Sequence, residues 1–113
     1  MLTIEKLKEF GANTDEGISR CMGNEEFYLK MVKMMLDDNA MDKLKAALDE
    51  NDLDKAFEAA HSLKGVTGNL SMTPISEPTI EITELLRART QMDYSDLFEK
   101  ISTEWDKLKA LAD

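Results

Sequence analysis

Hydrophobic residues recur at three- and four-residue steps along almost the whole chain, the spacing of helices that each bury one face. Thr3 can cap a short helix through Phe10 that Gly11 ends, and Thr14-Asp15-Glu16 can open another that stops near Gly23. Asn24 is placed to cap a helix from Glu25 to about Asp37, with Glu25 and Glu26 suiting the positive end of its dipole. That helix carries Phe27, Tyr28, Met31, Val32, Met34, Met35 and Leu36; its methionines read first as flexible core filler and second as a surface for varied partners. Asn39 can cap a helix bearing Met41, Leu44, Ala47 and Leu48, and Asn51-Asp52 breaks it and caps the next, Leu53 to about Leu70.

Two starts are open for the helix that follows, Thr73-Pro74 and Ser76-Glu77-Pro78, with its end at about Ala88 or Arg89. The earlier start would place Pro78 inside the helix, where it deletes one hydrogen bond. Asp93 caps the last helix, whose Tyr94, Leu97, Phe98, Ile101, Trp105, Leu108 and Leu111 form one stripe. The pattern predicts an all-α fold: a four-helix up-and-down bundle with short additional N-terminal helices, one domain over residues 1–113.

Composition narrows the function. The chain has 113 residues, 42% hydrophobic and 33% charged, too apolar for disorder and too charged for a membrane protein. Fourteen Lys plus Arg against 23 Asp plus Glu give a formal charge of −9, which argues against nucleic acid as a partner. Cys21 is the sole cysteine, leaving no intrachain disulfide and no cysteine cluster for zinc, a usage that suits the cytoplasm. No stretch has the apolar length of a membrane span, the first residues lack the pattern of a signal peptide, and a start at Met1 is compatible with an independent protein.

His61 is the only histidine, so chemistry that needs an imidazole has one address. It lies in mid-helix in the run Ala60-His61-Ser62-Leu63-Lys64-Gly65-Val66-Thr67-Gly68-Asn69-Leu70. A lone histidine on a helix is ordinarily a surface or satisfied core residue. Its neighbours change the weight, because each glycine in a helix interior costs roughly 1 kcal/mol relative to alanine. At about 100° per residue, Leu53, Ala56, Phe57, Ala60, Leu63 and Thr67 form the core-facing stripe, and His61, Gly65 and Gly68 fall together on its flank. The side chains that would crowd the imidazole from the C-terminal side are missing. Lys64, three residues on, is placed to hold its ammonium beside anything attached to the ring. A neutral imidazole is a nucleophile, a nearby ammonium stabilises an acquired negative group, and a cleared helix face admits a second protein. Phosphoryl transfer onto histidine fits all three.

Other sites fail on counting. Glu58 and His61 have the Glu-x-x-His spacing of di-iron bundles, but those need a second histidine, as does a His-Glu-x-x-His zinc site. The run Asp49-Glu50-Asn51-Asp52-Leu53-Asp54 resembles a calcium loop, yet puts Leu53 at a ligand position and lacks the loop glycine. No glycine-rich phosphate cradle gives the chain a nucleotide site. Arg87 could reach a phosphoryl group on His61 from the following helix, but no motif supports it and it is not counted in the site.

The Ala60–Leu70 run closely resembles the signature of histidine-containing phosphotransfer (HPt) domains, His-x-Leu-Lys-Gly followed by Gly-Asn-Leu. The Gly23-Asn24-Glu25-Glu26 turn also looks like that family's entry into its bundle. Val66 and Ser71 depart from it, Val66 standing where Ala or Ser is usual and Ser71 where Gly is common. The resemblance implies that His61 accepts a phosphoryl group from the aspartyl phosphate of a response-regulator receiver domain and passes it to another receiver. Lys64 would neutralise the phosphohistidine, and Gly65 and Gly68 would form the docking face. Magnesium would belong to the receiver, so no metal and no cofactor are expected here. The chain would be a phosphoryl carrier without its own ATP site, a monomer whose partners are receivers and a hybrid histidine kinase. The competing reading is a non-catalytic bundle that docks on a kinase or receiver as adaptor or inhibitor, with His61 incidental. An adaptor has no need of His61, Lys64 and Gly65 in that order.

Overall fold

Seven helices make up the regular structure of residues 1–112, the residues that the computed structural model describes. They are α1 (Ile4–Phe10), α2 (Thr14–Arg20), α3 (Glu25–Asp37), α4 (Ala40–Asp49), α5 (Leu53–Asn69), α6 (Thr73–Arg87) and α7 (Ser95–Ala112). No strand occurs among the described residues, and no helix there is long and apolar enough to cross a membrane.

Local chemistry sets most of the boundaries. Thr3 Oγ1 accepts a hydrogen bond from the Lys6 amide at 3.2 Å, Asn24 Oδ1 from Phe27 at 3.0 Å and Asp52 Oδ1 from Lys55 at 3.1 Å, each closing a first turn. Gly11 ends α1 at φ 110°, a left-handed conformation that glycine adopts without strain. Two caps differ from expectation. The Asn39 side chain makes no cap bond, its own amide donating instead to Asp38 Oδ1 at 2.7 Å. Asp93 accepts from the Ser95 amide at 2.9 Å, just ahead of α7, and the Ser95 hydroxyl and amide together hold its carboxyl below the usual range. Of the two starts open to α6 the chain takes the earlier, with Pro74 in the first turn and Pro78 inside the helix. Pro78 sits so near the start that little helix precedes it to be kinked.

Helices adjacent in sequence pack together, α4 on α5, α5 on α6 and α6 on α7, while α1 and α3 also pack on α7. The connections of three to seven residues between α4 and α7 favour antiparallel neighbours. Ala56, Ala60, Leu63 and Thr67 of α5 are fully buried, and Leu53 and Ala59 nearly so. They share a core with Leu44 of α4, Ile75, Ile82 and Leu86 of α6, and Ile101 and Leu108 of α7. The buried threonines of α5 and α6 satisfy their hydroxyls within their own helices: Thr67 Oγ1 donates to the Leu63 carbonyl at 2.8 Å and Thr79 Oγ1 to that of Ile75 at 2.7 Å.

The expected core stripe of α5 needs one correction. Ala59 is buried and Phe57 only half-buried, because Phe57 lies at the α5–α6 edge beneath two arginines. The α3 methionines divide: Met35 is core, Met31 lies at its margin and Met34 is exposed.

The N-terminal helices brace the far end of α5. Tyr28 is fully buried and its hydroxyl donates to the Leu70 carbonyl at 2.8 Å. Burial, with a smaller contribution from nearby Cys21, pushes its phenol up to about 12, so it remains a donor through the physiological range. A Cβ on Gly17 would stand 2.4 Å from the Tyr28 ring, so only glycine admits that approach. Arg20 adds a bond of 2.7 Å to the Gly68 carbonyl, and the Asn13 amide one of 3.0 Å to that of Ser71.

Ser71 itself is strained. Its φ is 55°, and its buried hydroxyl has no hydrogen-bond partner. Ser71→Gly relieves both and is expected to raise the unfolding free energy by about 1 kcal/mol, read as a higher urea midpoint at unchanged slope. A midpoint that stays or falls would show that neither strain is felt.

Candidate functional site

The burial of α5 fixes its rotation and so decides what faces outward. With Ala56, Ala60, Leu63 and Thr67 turned into the core, His61 and Ser62 are exposed in the middle of the helix. Gly65 lies one turn beyond His61 and Gly68 two turns beyond. A Cβ built on either meets nothing within 4 Å, so the surface on the C-terminal side of the imidazole is open, as the spacing predicts.

On the other side the ring is supported. The Phe57 ring, one turn toward the N-terminus, stacks on His61 with centroids 5.6 Å apart and planes 20° from parallel. Phe57 in turn lies under two guanidinium groups, the central carbons of Arg87 and Arg89 each 5.0 Å from its centroid. Arg89 is held at the end of α6 by its own bonds, to Asp54 Oδ1 at 2.7 Å and to the Leu86 carbonyl at 2.7 Å. Arg87 Nε lies 3.3 Å from Glu84 Oε2, and Lys64 Nζ is 4.0 Å from Glu84 Oε1. Three cations therefore gather around the Phe57–His61 stack of an acidic protein.

Of the predicted site residues the structure places His61, Gly65 and Gly68 on one open face, with Lys64 beside it and half-buried against α6. Phe57, Glu84, Arg87 and Arg89 complete the surroundings and were not in the predicted set. For Phe57, Arg87 and Arg89 the signal lay in hairpin arithmetic. Counting outward about equally from the turn at 70–72 sets Phe57 opposite Arg87 and Asp54 opposite Arg89, once the start of α6 is known. The carboxylates of the calcium-like run have separate tasks: Asp49 pairs with Lys45 at 3.0 Å, Asp52 caps α5 and Asp54 holds Arg89. Among the described residues no three His, Cys, Asp or Glu side chains come together to hold a metal ion.

The glycines are a sacrifice of stability on an exposed helix face. Gly65→Ala and Gly68→Ala, with open space at each Cβ, are each expected to stabilise the fold by about 1 kcal/mol, measured by thermal or urea unfolding. Destabilisation would mean that the backbone there is not free to accept a side chain.

The sequence model of the Hpt domain family matches residues 30–111, which takes in α4 to α6 whole, all but the last residue of α7, and α3 from its sixth residue onward. Searches of curated proteins and of solved structures returned no match. The matched segment contains the exposed histidine, the lysine after it and the open glycine face. The chain belongs to the Hpt domain family, whose members are phosphocarriers in histidine phosphotransfer relays and have no ATP site of their own.

Proposed function

We propose that His61 is the phosphoryl-accepting residue, charged by the aspartyl phosphate of one response-regulator receiver domain and discharged to another. The observation that carries this reading is an exposed imidazole in mid-helix with the surface one and two turns beyond it empty. In the transfer the lone pair of one imidazole nitrogen attacks phosphorus. A P–N bond forms, the P–O bond of the acyl phosphate breaks, and the aspartate leaves as a carboxylate with that electron pair. The other ring nitrogen keeps its proton, so the ring becomes a phospho-imidazolium. The reverse sequence hands the group to the next receiver.

Each neighbour has a part in that step. Phe57 limits the tilt of the ring by stacking on it, which keeps its free edge turned to the partner. Lys64 supplies positive charge to a dianionic phosphoryl group. Gly65 and Gly68 let the receiver's loops approach the helix backbone where a side chain would hold them off. In this reading residues 1–113 act as one domain and as a monomer in the cytoplasm, and any magnesium is brought by the receiver.

His61→Gln is expected to keep the helical circular dichroism and to lose all acid-labile label from a phosphorylated receiver. Label that persists would move the accepting atom elsewhere. Lys64→Ala is expected to slow transfer about three- to thirty-fold while leaving receiver affinity within about two-fold, as follows from losing one charge-assisted contact of partial exposure. Single-turnover transfer and a binding titration separate the two, and an unchanged rate would remove the lysine from the step.

A further inference from the structure

Glu84 belongs to neither the core nor the predicted site, yet its two oxygens reach one cation on α5 and one on α6. Oε1 lies 4.0 Å from Lys64 Nζ on α5 and Oε2 lies 3.3 Å from Arg87 Nε on its own helix. This is the one ion pair that Lys64 makes among the described residues. Arg87 in turn sits over the ring that stacks on His61. Arg89 differs, because two backbone carbonyls as well as Asp54 fix it to the end of α6 whatever happens at the histidine. Among the described residues Lys64 and Arg87 thus have Glu84 as their one ion-pair partner, a side chain that is itself 56% exposed.

We propose that Glu84 is a positioning residue that acts as a resident counter-anion: it occupies Lys64 and Arg87 while His61 is bare and competes with the phosphoryl group for them once His61 is charged. The proposal rests on His61 as the accepting residue. A −2 group on the imidazole draws the same two cations, and whatever attraction they keep for the carboxylate is withheld from the phosphoryl group. The competition lowers the stability of the phosphorylated form and so favours onward transfer. A carrier needs this balance, since a group held too firmly is not passed on. The lysine–glutamate contact is long and the carboxylate half in water, so the effect is modest.

The test uses the full chain and phosphoramidate as phosphoryl donor, the P–N bond of the donor breaking as the P–N bond to His61 forms and ammonia leaves. Phosphorus NMR at a fixed ratio of phosphoramidate to ammonium reads the equilibrium ratio of charged to bare protein. Glu84→Gln is expected to raise that ratio about two- to five-fold, the range of a partly exposed ion pair. It is also expected to lower the pH midpoint at which the bound phosphoryl group titrates, because freed cations favour its dianion. Both shifts are expected to vanish in a Lys64→Gln, Arg87→Gln background, and to shrink in high salt. An unchanged ratio and midpoint in Glu84→Gln would overturn the proposal. So would shifts that persist undiminished without the two cations, since the carboxylate would then act by direct repulsion alone. Failure of the unaltered chain to take up label, or label that survives His61→Gln, overturns the assignment of His61, a result seen before Glu84 is varied.

Discussion

A helix has a single rotational setting, and in α5 four fully buried side chains choose it. Ala56, Ala60, Leu63 and Thr67 meet the core, and the two alanines are short enough for neighbouring helices to close in on them. Everything at the candidate site follows from that setting. His61 faces outward because Ala60 faces inward, and the glycine face stands beside it because residues four and seven positions on lie near the same line of the helix surface. A larger residue at Ala60 would rotate or displace the helix and move the imidazole with it, without touching the imidazole.

The second organising force is electrostatic, and it runs against the average. The chain carries nine negative charges in excess, yet around the Phe57–His61 stack the nearest ionised groups on α5 and α6 include a lysine and two arginines. Each is tied to a carboxylate, Glu84 or Asp54, so the local surplus is muted when no anion is bound. This arrangement keeps three like charges close together at little cost in repulsion. The aromatic ring between them adds a polarisable surface that both guanidinium groups and the imidazole can face.

The helical plan was readable from spacing and caps, because those signals are local: a side chain and an amide three residues apart, or an apolar stripe on one cylinder. Gly65 and Gly68 were readable for the same reason, since a glycine in a helix interior announces its cost within the sequence. What spacing and caps did not fix was anything that depends on how two helices meet, including whether Arg87 reaches the site. Phe57 belongs by angle to the core stripe of α5, and only the approach of α6 shows that two arginines cover it instead. Glu84, Arg87 and Arg89 join the site through the α5–α6 register. That register turns on which of two starts α6 adopts, and the sequence left both open because Pro78 tolerates a place early in a helix. Ser71 is a milder case. Its departure from the expected glycine was visible, but the left-handed backbone it occupies was not.

The bonds that Arg20 and Tyr28 make to the end of α5 acquire a meaning from where they sit in the chain. The final turns of that helix are the ones weakened by two glycines, and they would otherwise fray toward solvent. Gly68 and Leu70 are splinted there by side chains from α2 and the first turn of α3, both upstream of the segment that defines the family. The leading residues thus serve as a brace for a rod that has been thinned for its partner. Trimming the protein to the shared segment would keep every reactive group and discard the scaffolding that holds the thinned end still.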